Sequence, residues 1–501
     1  MAPTDPHPGT SGVASLGVSA LRAALAGGDL TSRSLVASLI DRTAAIDAPG
    51  TAIELRAVLG LSASASDEAE RRDRERAEAR RQGADLGPLH GIPVLVKDNI
   101  EAVGLPGTAG SLALAGRPVA TDAPLVARLR EAGAVIVGAT NLSEWANIRS
   151  PRSTSGWSAV GGLTGNPWAL DHSAGGSSSG SGAAVAAGLA PLAVGTETNG
   201  SITCPAALNG VVGIKPTVGS VSTTGVVPVS LTQDVPGPLA RSVADAALLL
   251  EVLSGRTGLH AAASPGTAAG LRVGVAEGWL TGDPATDGVF ALALSALEHW
   301  VATVSTASVP TTPADVHDDQ LTALLAELCD DLGGYLAGRP GDGARSVADV
   351  VAFNEAHHRQ ELACFGQEFL IRSAGSGGRA TDEYRQARAR NVDWARDSCL
   401  GPALAGGPFD VLVAPAYRPA WKSDLTSGDS LMGGGAVCTP AAILGWPTAT
   451  VPMGLVDGLP VGFSIVGPAG SEARLIAVAH ALESSLAIGR PAPAWRPARR
   501  G

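Results

Sequence analysis

Lysine is nearly missing from this chain of 501 residues: of its 36 basic residues only Lys97, Lys215 and Lys422 are lysine. Where arginine carries almost every positive charge, a retained lysine marks a place where arginine would not serve, because lysine can shed its proton on burial and arginine effectively cannot. Charge of either sign is also scarce. Charged residues make up 17% of the chain, below the usual value of about 25%, which implies extensive burial and a comparatively neutral surface. The net charge of −11 and the lack of any basic cluster longer than an Arg-Arg pair exclude a nucleic-acid partner and disfavour anionic membranes. The five cysteines, at 204, 329, 364, 399 and 438, are odd in number and show no CxxC spacing, so neither a disulfide framework nor a zinc site is expected.

Other motifs are missing as well. There is no HExxH, and the nine histidines have no metal-ligand spacing, so no metal is expected. A phosphate-binding loop needs GK[ST] after its glycines, whereas here the Gly/Ser run enters Ala-Ala-Val, and no cofactor is expected. The most apolar run, 183–195, is too short and too rich in Gly and Ala to cross a bilayer, which takes about 20 residues. No lysine or arginine precedes Arg22, so a secretory leader is not indicated and a cytoplasmic location is expected.

What is present reads as alternating helix and strand. Apolar residues at helical spacing predict a helical hairpin over 16–46, with Thr31 or Ser32 as N-cap of its second arm. The charged run 67–81 predicts a solvated outer helix with i,i+4 pairs. Short apolar strands are predicted at 92–96, 134–138, 192–195, 211–214, 271–276, 411–414, 448–451 and 461–466. Helices are predicted at 122–133, 243–253, 291–301 and 471–486. This alternation implies an α/β class protein, a single α/β/α sandwich over 1–501 with a large mixed β-sheet, in which parallel pairing is expected to predominate. Residues 315–400 carry no strand signal and read as a helical cap inserted into the same domain, with a Gly-rich break at 375–378.

Chemistry concentrates in 174–217, a stretch of small residues with serines at both ends, no basic residue before Lys215 and one acid, Glu197. GSSSG at 176–180 matches the GxSxG elbow around Ser178, but the residues before it are turn-like, whereas an elbow follows a strand. Serine–lysine chemistry remains. Amide hydrolysis through an acyl-enzyme needs an activated hydroxyl, donors for the oxyanion and an acid for the leaving amine, and a desolvated neutral lysine can act as the base. Lys97, at the end of Ile-Pro-Val-Leu-Val, stands where burial would lower its pKa. A strand-end salt bridge to Asp98 is the alternative reading of the same residue.

GPLHGIPVLVKDNI at 87–100, GGSSSGSGAAVAAG from 175, and GTETNGSITCPAALNGVVGIKPT from 195 together resemble the amidase signature family, in an approximate core of 85–255. The 24-residue separation of Ser177 and Ser201 is similar to the family's spacing. The resemblance implies the family's fold and a Ser-cisSer-Lys triad, with Ser201 as nucleophile, Ser177 as bridging serine after a cis peptide and Lys97 as base. It also implies an oxyanion hole from the backbone amides of Thr198, Asn199, Gly200 and Ser201. Thr203 stands where many members have Arg, which sets the chain apart from the glutamine-hydrolysing components of amidotransferases and from fatty-acid amide hydrolases.

Further segments, including NLSEWANIRS at 141–150, LVAPAYRPAW at 412–421 and GWPTATVPMGLVDGLPVGFSIVG from 445, are similar to bacterial peptide amidases within the family. The expected reaction is removal of ammonia from the C-terminal amide of a peptide or an amino-acid amide. The expected partner is a small-molecule or short peptide amide substrate, with oligomeric state open. Small aliphatic or aryl amides, acyl or ammonia transfer to another acceptor, and a non-enzymatic role on this scaffold are the alternatives. Trp157, Trp145 and the glycines 433–435, Gly434 among them, are candidates to line the acyl pocket. Asp98, Asp234, Lys215 and Glu144 read as structural hydrogen-bonding groups near the site, and Arg149 and Arg152 as surface charge.

Overall fold

A computed structural model describes residues 11–429, 434–486, 493, 495 and 496. The Gly433 candidate and the first ten residues lie outside them. Eleven strands form one sheet. From one edge they run Val58–Leu61, Val135–Thr140, Pro93–Lys97, Leu192–Glu197, Val235–Ala240 and Val212–Lys215. The second half continues through Thr448–Val456, Leu459–Val466, Val411–Pro415, Arg272–Ala276 and Thr303–Ala307. The α/β sandwich with a large mixed sheet flanked by helices is therefore the observed fold. Parallel pairing does not predominate: of the ten strand pairs described, four are parallel and six antiparallel. Apolar runs report that a strand is buried, but not which way it points.

The central strands are apolar because both sheet faces are covered. Val94 and Val96 enter one core cluster and Leu95 another, with the period of two of a strand. The strand Val235–Ala240 was not predicted, because Pro236 and Pro238 argue against a central strand. It nevertheless pairs on both sides, with Leu192–Glu197 and Val212–Lys215.

The helical hairpin is present as Val18–Gly27 and Ser32–Ile46, and Thr31 is the cap, its hydroxyl accepting from the Ser34 N–H at 3.0 Å. The charged helix, Ala65–Gln82, is not solvated all round. Arg72 and Arg76 are buried, donating to the Arg130 carbonyl at 2.9 Å and to Ser32 Oγ at 2.7 Å. The helix expected at 291–301 spans Pro284–Leu297, opened by Asp283, whose carboxylate accepts from the Thr286 N–H.

Two short helices, Ser179–Ala186 and Thr203–Asn209, lie buried against the sheet and explain the small residues of 174–217. A Cβ on Gly180 would stand 2.3 Å from the Ala57 carbonyl oxygen, so only glycine permits the approach. Residues 314–404 form a run of helices led by Ala314–Gly338. Glu327 of that helix accepts from Ser230, from Thr232 Oγ1 at 3.0 Å and from Tyr384 Oη at 2.7 Å. Asp331 accepts from the Leu231 N–H at 2.8 Å. The helical segment is thus tied to the 229–234 loop at the edge of the site.

Candidate active site

Lys97 ends its strand completely buried, beside the parallel strand Leu192–Glu197. Its Nζ lies 2.7 Å from Ser177 Oγ, 2.9 Å from Thr196 Oγ1 and 3.4 Å from the Thr196 carbonyl. Among the described residues no carboxylate is within ion-pair distance of it. Asp98, the alternative partner, turns away and accepts from the Gly107 and Thr108 N–H groups at 2.8 and 2.9 Å. Burial pushes the Lys97 ammonium down from 10.5 to about 7, and the charges of Asp234 and Glu197 keep it from falling further. Asn99 Nδ2 donates to the same Thr196 hydroxyl at 3.0 Å and fixes that side of the amine.

Ser177 is buried and follows a cis Gly176–Ser177 peptide bond. The Ser178 N–H donates to the Ser201 carbonyl at 3.1 Å, joining the two serine segments. The Ser178 hydroxyl is engaged by the strand instead: it donates to the Thr196 carbonyl at 3.0 Å and accepts from the Thr196 N–H at 3.2 Å. That geometry suits a structural clasp and not the exposed nucleophile of an elbow.

Ser201 closes the loop between the Leu192–Glu197 strand and the Thr203–Asn209 helix. Among the described residues, the backbone N–H groups of Thr198, Asn199, Gly200 and Ser201 find no acceptor, an uncommon run in a loop that is half-buried at its first two residues and buried at its last two. Gly200 has φ +85°, and a Cβ there would meet Tyr417 Oη at 2.9 Å. Glu197 Oε2 accepts from Ile202 N at 2.7 Å and Thr203 N at 2.9 Å, so it anchors the helix that follows Ser201. Thr198 Oγ1 donates to Asp234 at 2.5 Å, and Asp234 also accepts from Val229 N and Ser230 N. Burial pushes Asp234 up to about 6. Asn199 directs its side chain to Thr439 Oγ1, 3.2 Å away.

A cavity of about 230 Å³ opens over this loop. Gly176, the 198–201 loop, Ala146 to Ile148, Leu324, Tyr417, Trp421 and Asp429 form its walls. Trp145, Ala146 and Asn147 are successive left-handed residues, with φ 50°, 54° and 75°, a conformation costing roughly 1–2 kcal/mol per residue. The turn presents Ala146, Asn147 and Ile148 to the cavity. Trp145 itself is buried in the core cluster of the helical segment, and Trp157 is buried edge-on to Phe365. Gly434 is exposed and bridges Tyr417, a wall residue.

Arg149 is not surface charge. It is fully buried, bonded to Glu144 at 2.6 Å and to the carbonyls of Glu361, Phe365 and Gly366, with its guanidinium over the rings of Trp157 and Phe365. Burial, only partly opposed by Arg149, pushes Glu144 up to about 8. Arg152 is exposed, 3.3 Å from Glu368. Lys215 is buried and donates to the Trp446 carbonyl at 2.8 Å. Tyr417, Trp421 and Asp429 escaped residue-level reading because they lie more than 200 residues from Ser201 in the chain. The AYRPAW motif, which contains the two aromatics, was the one available signal.

The family profile described as Amidase matches residues 36–476. The crystal structure of native peptide amidase from Stenotrophomonas maltophilia superposes with a TM-score of 0.89 at 42% identity, covering 97% of this chain and 99% of that one. A protein of Arabidopsis thaliana named as a probable amidase is 36% identical over 455 residues, 87% of this chain and 84% of the relative. A glutamyl-tRNA(Gln) amidotransferase component from Symbiobacterium thermophilum is 37% identical over 432 residues, 82% of this chain and 86% of the relative.

Proposed function

The chain belongs to the amidase signature family, and we propose that this serine-dependent amidase converts terminal carboxamides of peptides and amino-acid amides to the free acid and ammonia. Ser201 attacks the amide carbon while Ser177 takes its proton and passes its own to neutral Lys97. The oxyanion develops against the free N–H groups of the 198–201 loop, where one lost donor typically costs about 10²- to 10³-fold in rate. Collapse of the tetrahedral intermediate breaks the C–N bond, and Ser177 returns a proton to the departing nitrogen. Water then attacks the acyl-Ser201 ester by the same relay, releasing the acid and restoring the serine.

The observation that carries this reading is the 2.7 Å contact of Lys97 Nζ with Ser177 Oγ at a lysine whose burial favours the neutral amine. The choice of peptide and amino-acid amides rests on the likeness to peptide amidase over nearly the whole chain. We read 1–501 as one amidase domain, because strands from both ends of the chain share one sheet.

Mass spectrometry of peptide amides, amino-acid amides, aryl amides, fatty amides and carbamates tests the reading. The first two classes should lose their amide nitrogen in the wild type and not in Ser201→Ala. Turnover surviving in Ser201→Ala, or confined to aryl or fatty amides, would count against it. Ammonia transfer is the second reading, favoured by likeness to the amidotransferase component. Substrate nitrogen recovered on a second acceptor instead of as free ammonia, with the free acid still formed, would support it.

A further inference from the structure

Among the described residues Asp429 is the one ionisable carboxylate on the cavity wall, and no lysine or arginine lines that cavity. Its position is built. Asp429 accepts from the Ser155 N–H at 3.1 Å, from Ser155 Oγ at 2.5 Å and from Trp421 Nε1 at 3.1 Å, and the Asn147 side chain also favours its charged form. Every one of these partners is neutral, so they orient the carboxylate without cancelling its charge. Among the described residues no lysine, arginine or histidine forms a salt bridge with Asp429, and burial holds its carboxyl above the usual range. A desolvated acceptor without a counter-charge, beside an indole in a substrate cavity, is a site that a cation would complete.

We propose that Asp429 is a specificity-determining residue that recognises an alkylammonium carried by the acyl part of the substrate. This inference rests on reading the cavity as the amidase substrate site. The cation is either the free α-ammonium of an amino-acid amide or the side-chain ammonium of a basic residue. The volume of about 230 Å³ lies below the roughly 300–1,000 Å³ usual for small-molecule sites, which favours the α-ammonium of a single residue.

Binding to the Ser201→Ala protein tests the proposal without requiring turnover. At pH 6, where an α-amino group of pKa about 7.7–8.0 is charged, calorimetry compares leucinamide with its neutral isostere 2-hydroxy-4-methylpentanamide. The ammonium should bind about ten- to a hundredfold more tightly, the range for a hydrogen bond to a charged group. That advantage should fall to near parity in Ser201→Ala/Asp429→Asn and survive in Ser201→Ala/Asp429→Glu. A second pair, N-acetyl-lysinamide and N-acetyl-norleucinamide, locates the cation on the side chain if the advantage appears there instead.

Parity in both pairs overturns the proposal, as does an advantage that persists in Asp429→Asn. If Asp429→Asn does not fold, the ammonium–isostere comparison in Ser201→Ala alone decides. An ammonium preference without amide hydrolysis by the wild type would overturn the amidase substrate reading and leave the cation site standing. Hydrolysis without the preference would do the reverse.

Discussion

Lowering the pH from 8 to 6 should switch the enzyme off through Lys97. In the proposed relay the active form has this amine neutral, and burial places its pKa at about 7. The neutral fraction then falls from about nine-tenths at pH 8 to just under one-tenth at pH 6, so kcat/KM should drop about tenfold, with the midpoint near 7. A lysine left at 10.5 would instead lose activity about a hundredfold across the same two units, and a base titrating below pH 5 would lose almost none. Ammonia release from a neutral N-acetylated amino-acid amide, measured every half unit, distinguishes these cases, because such a substrate does not itself titrate. Asp234 supplies an internal control. Its charge holds the Lys97 pKa up, so Asp234→Asn should move the acid limb to lower pH. A limb that stays in place in Asp234→Asn, or a profile flat between pH 6 and 8, would refute the assignment of Lys97 as the titrating base.

Lys97→Met should abolish turnover and yet stabilise the fold. The native pKa lies below the unfolded value of 10.5, so the unfolded chain holds the extra proton between about pH 7 and 10.5. The penalty is therefore complete below pH 7, at about 5 kcal/mol, and disappears above about pH 10.5. Urea midpoints should favour the variant at pH 6 and converge at pH 10; equal midpoints at pH 6 would count against a desolvated lysine. Ser178→Ala should lose about 1 kcal/mol of stability and keep most of its activity, whereas Ser177→Ala should be nearly inactive; the opposite pattern in ammonia release would restore the elbow reading. Arg149→Leu leaves Glu144 and Glu361 buried without their cation, a change that typically costs about 3–5 kcal/mol. Hydrogen exchange should report it as lost protection around 358–374, and unchanged protection there would show that the Arg149 bonds to the Glu361, Phe365 and Gly366 carbonyls do not hold this segment in place.

Much of the scaffold was legible because the central strands are short Val/Ile/Leu runs that burial on two faces demands. Pairing direction was not, since it depends on how each crossover returns to the sheet. Pro236 and Pro238 hid a central strand whose ladder accommodates them. The Asp283-Pro284 start of the helix to Leu297 was readable as a cap followed by a first-turn proline, but the apolar spacing beyond it drew the prediction downstream. In the site, Lys97 stood out through arithmetic on lysine, and the serines through family resemblance. Arg149 was misplaced because a charged side chain is seldom fully buried, and the sequence gives no sign that Glu144, three carbonyls and two aromatic rings converge on it. Asp429 had no local signal at all, since its neighbours Ser155 and Trp421 are brought to it only by the tertiary fold.

Lys97 and Thr196 occupy neighbouring parallel strands whose register runs Val94 with Leu192 through Val96 with Val194. The gap between them is the inter-strand spacing of about 4.8 Å, set by backbone hydrogen bonds and independent of any side chain. The sheet therefore works as a ruler for the proposed proton relay. A slip of one residue would turn Lys97 to the opposite face, so this ruler has no intermediate marks: partial misalignment is not a state the enzyme can occupy. Substitutions elsewhere in the sheet should reduce the number of active molecules while leaving the rate of each survivor unchanged.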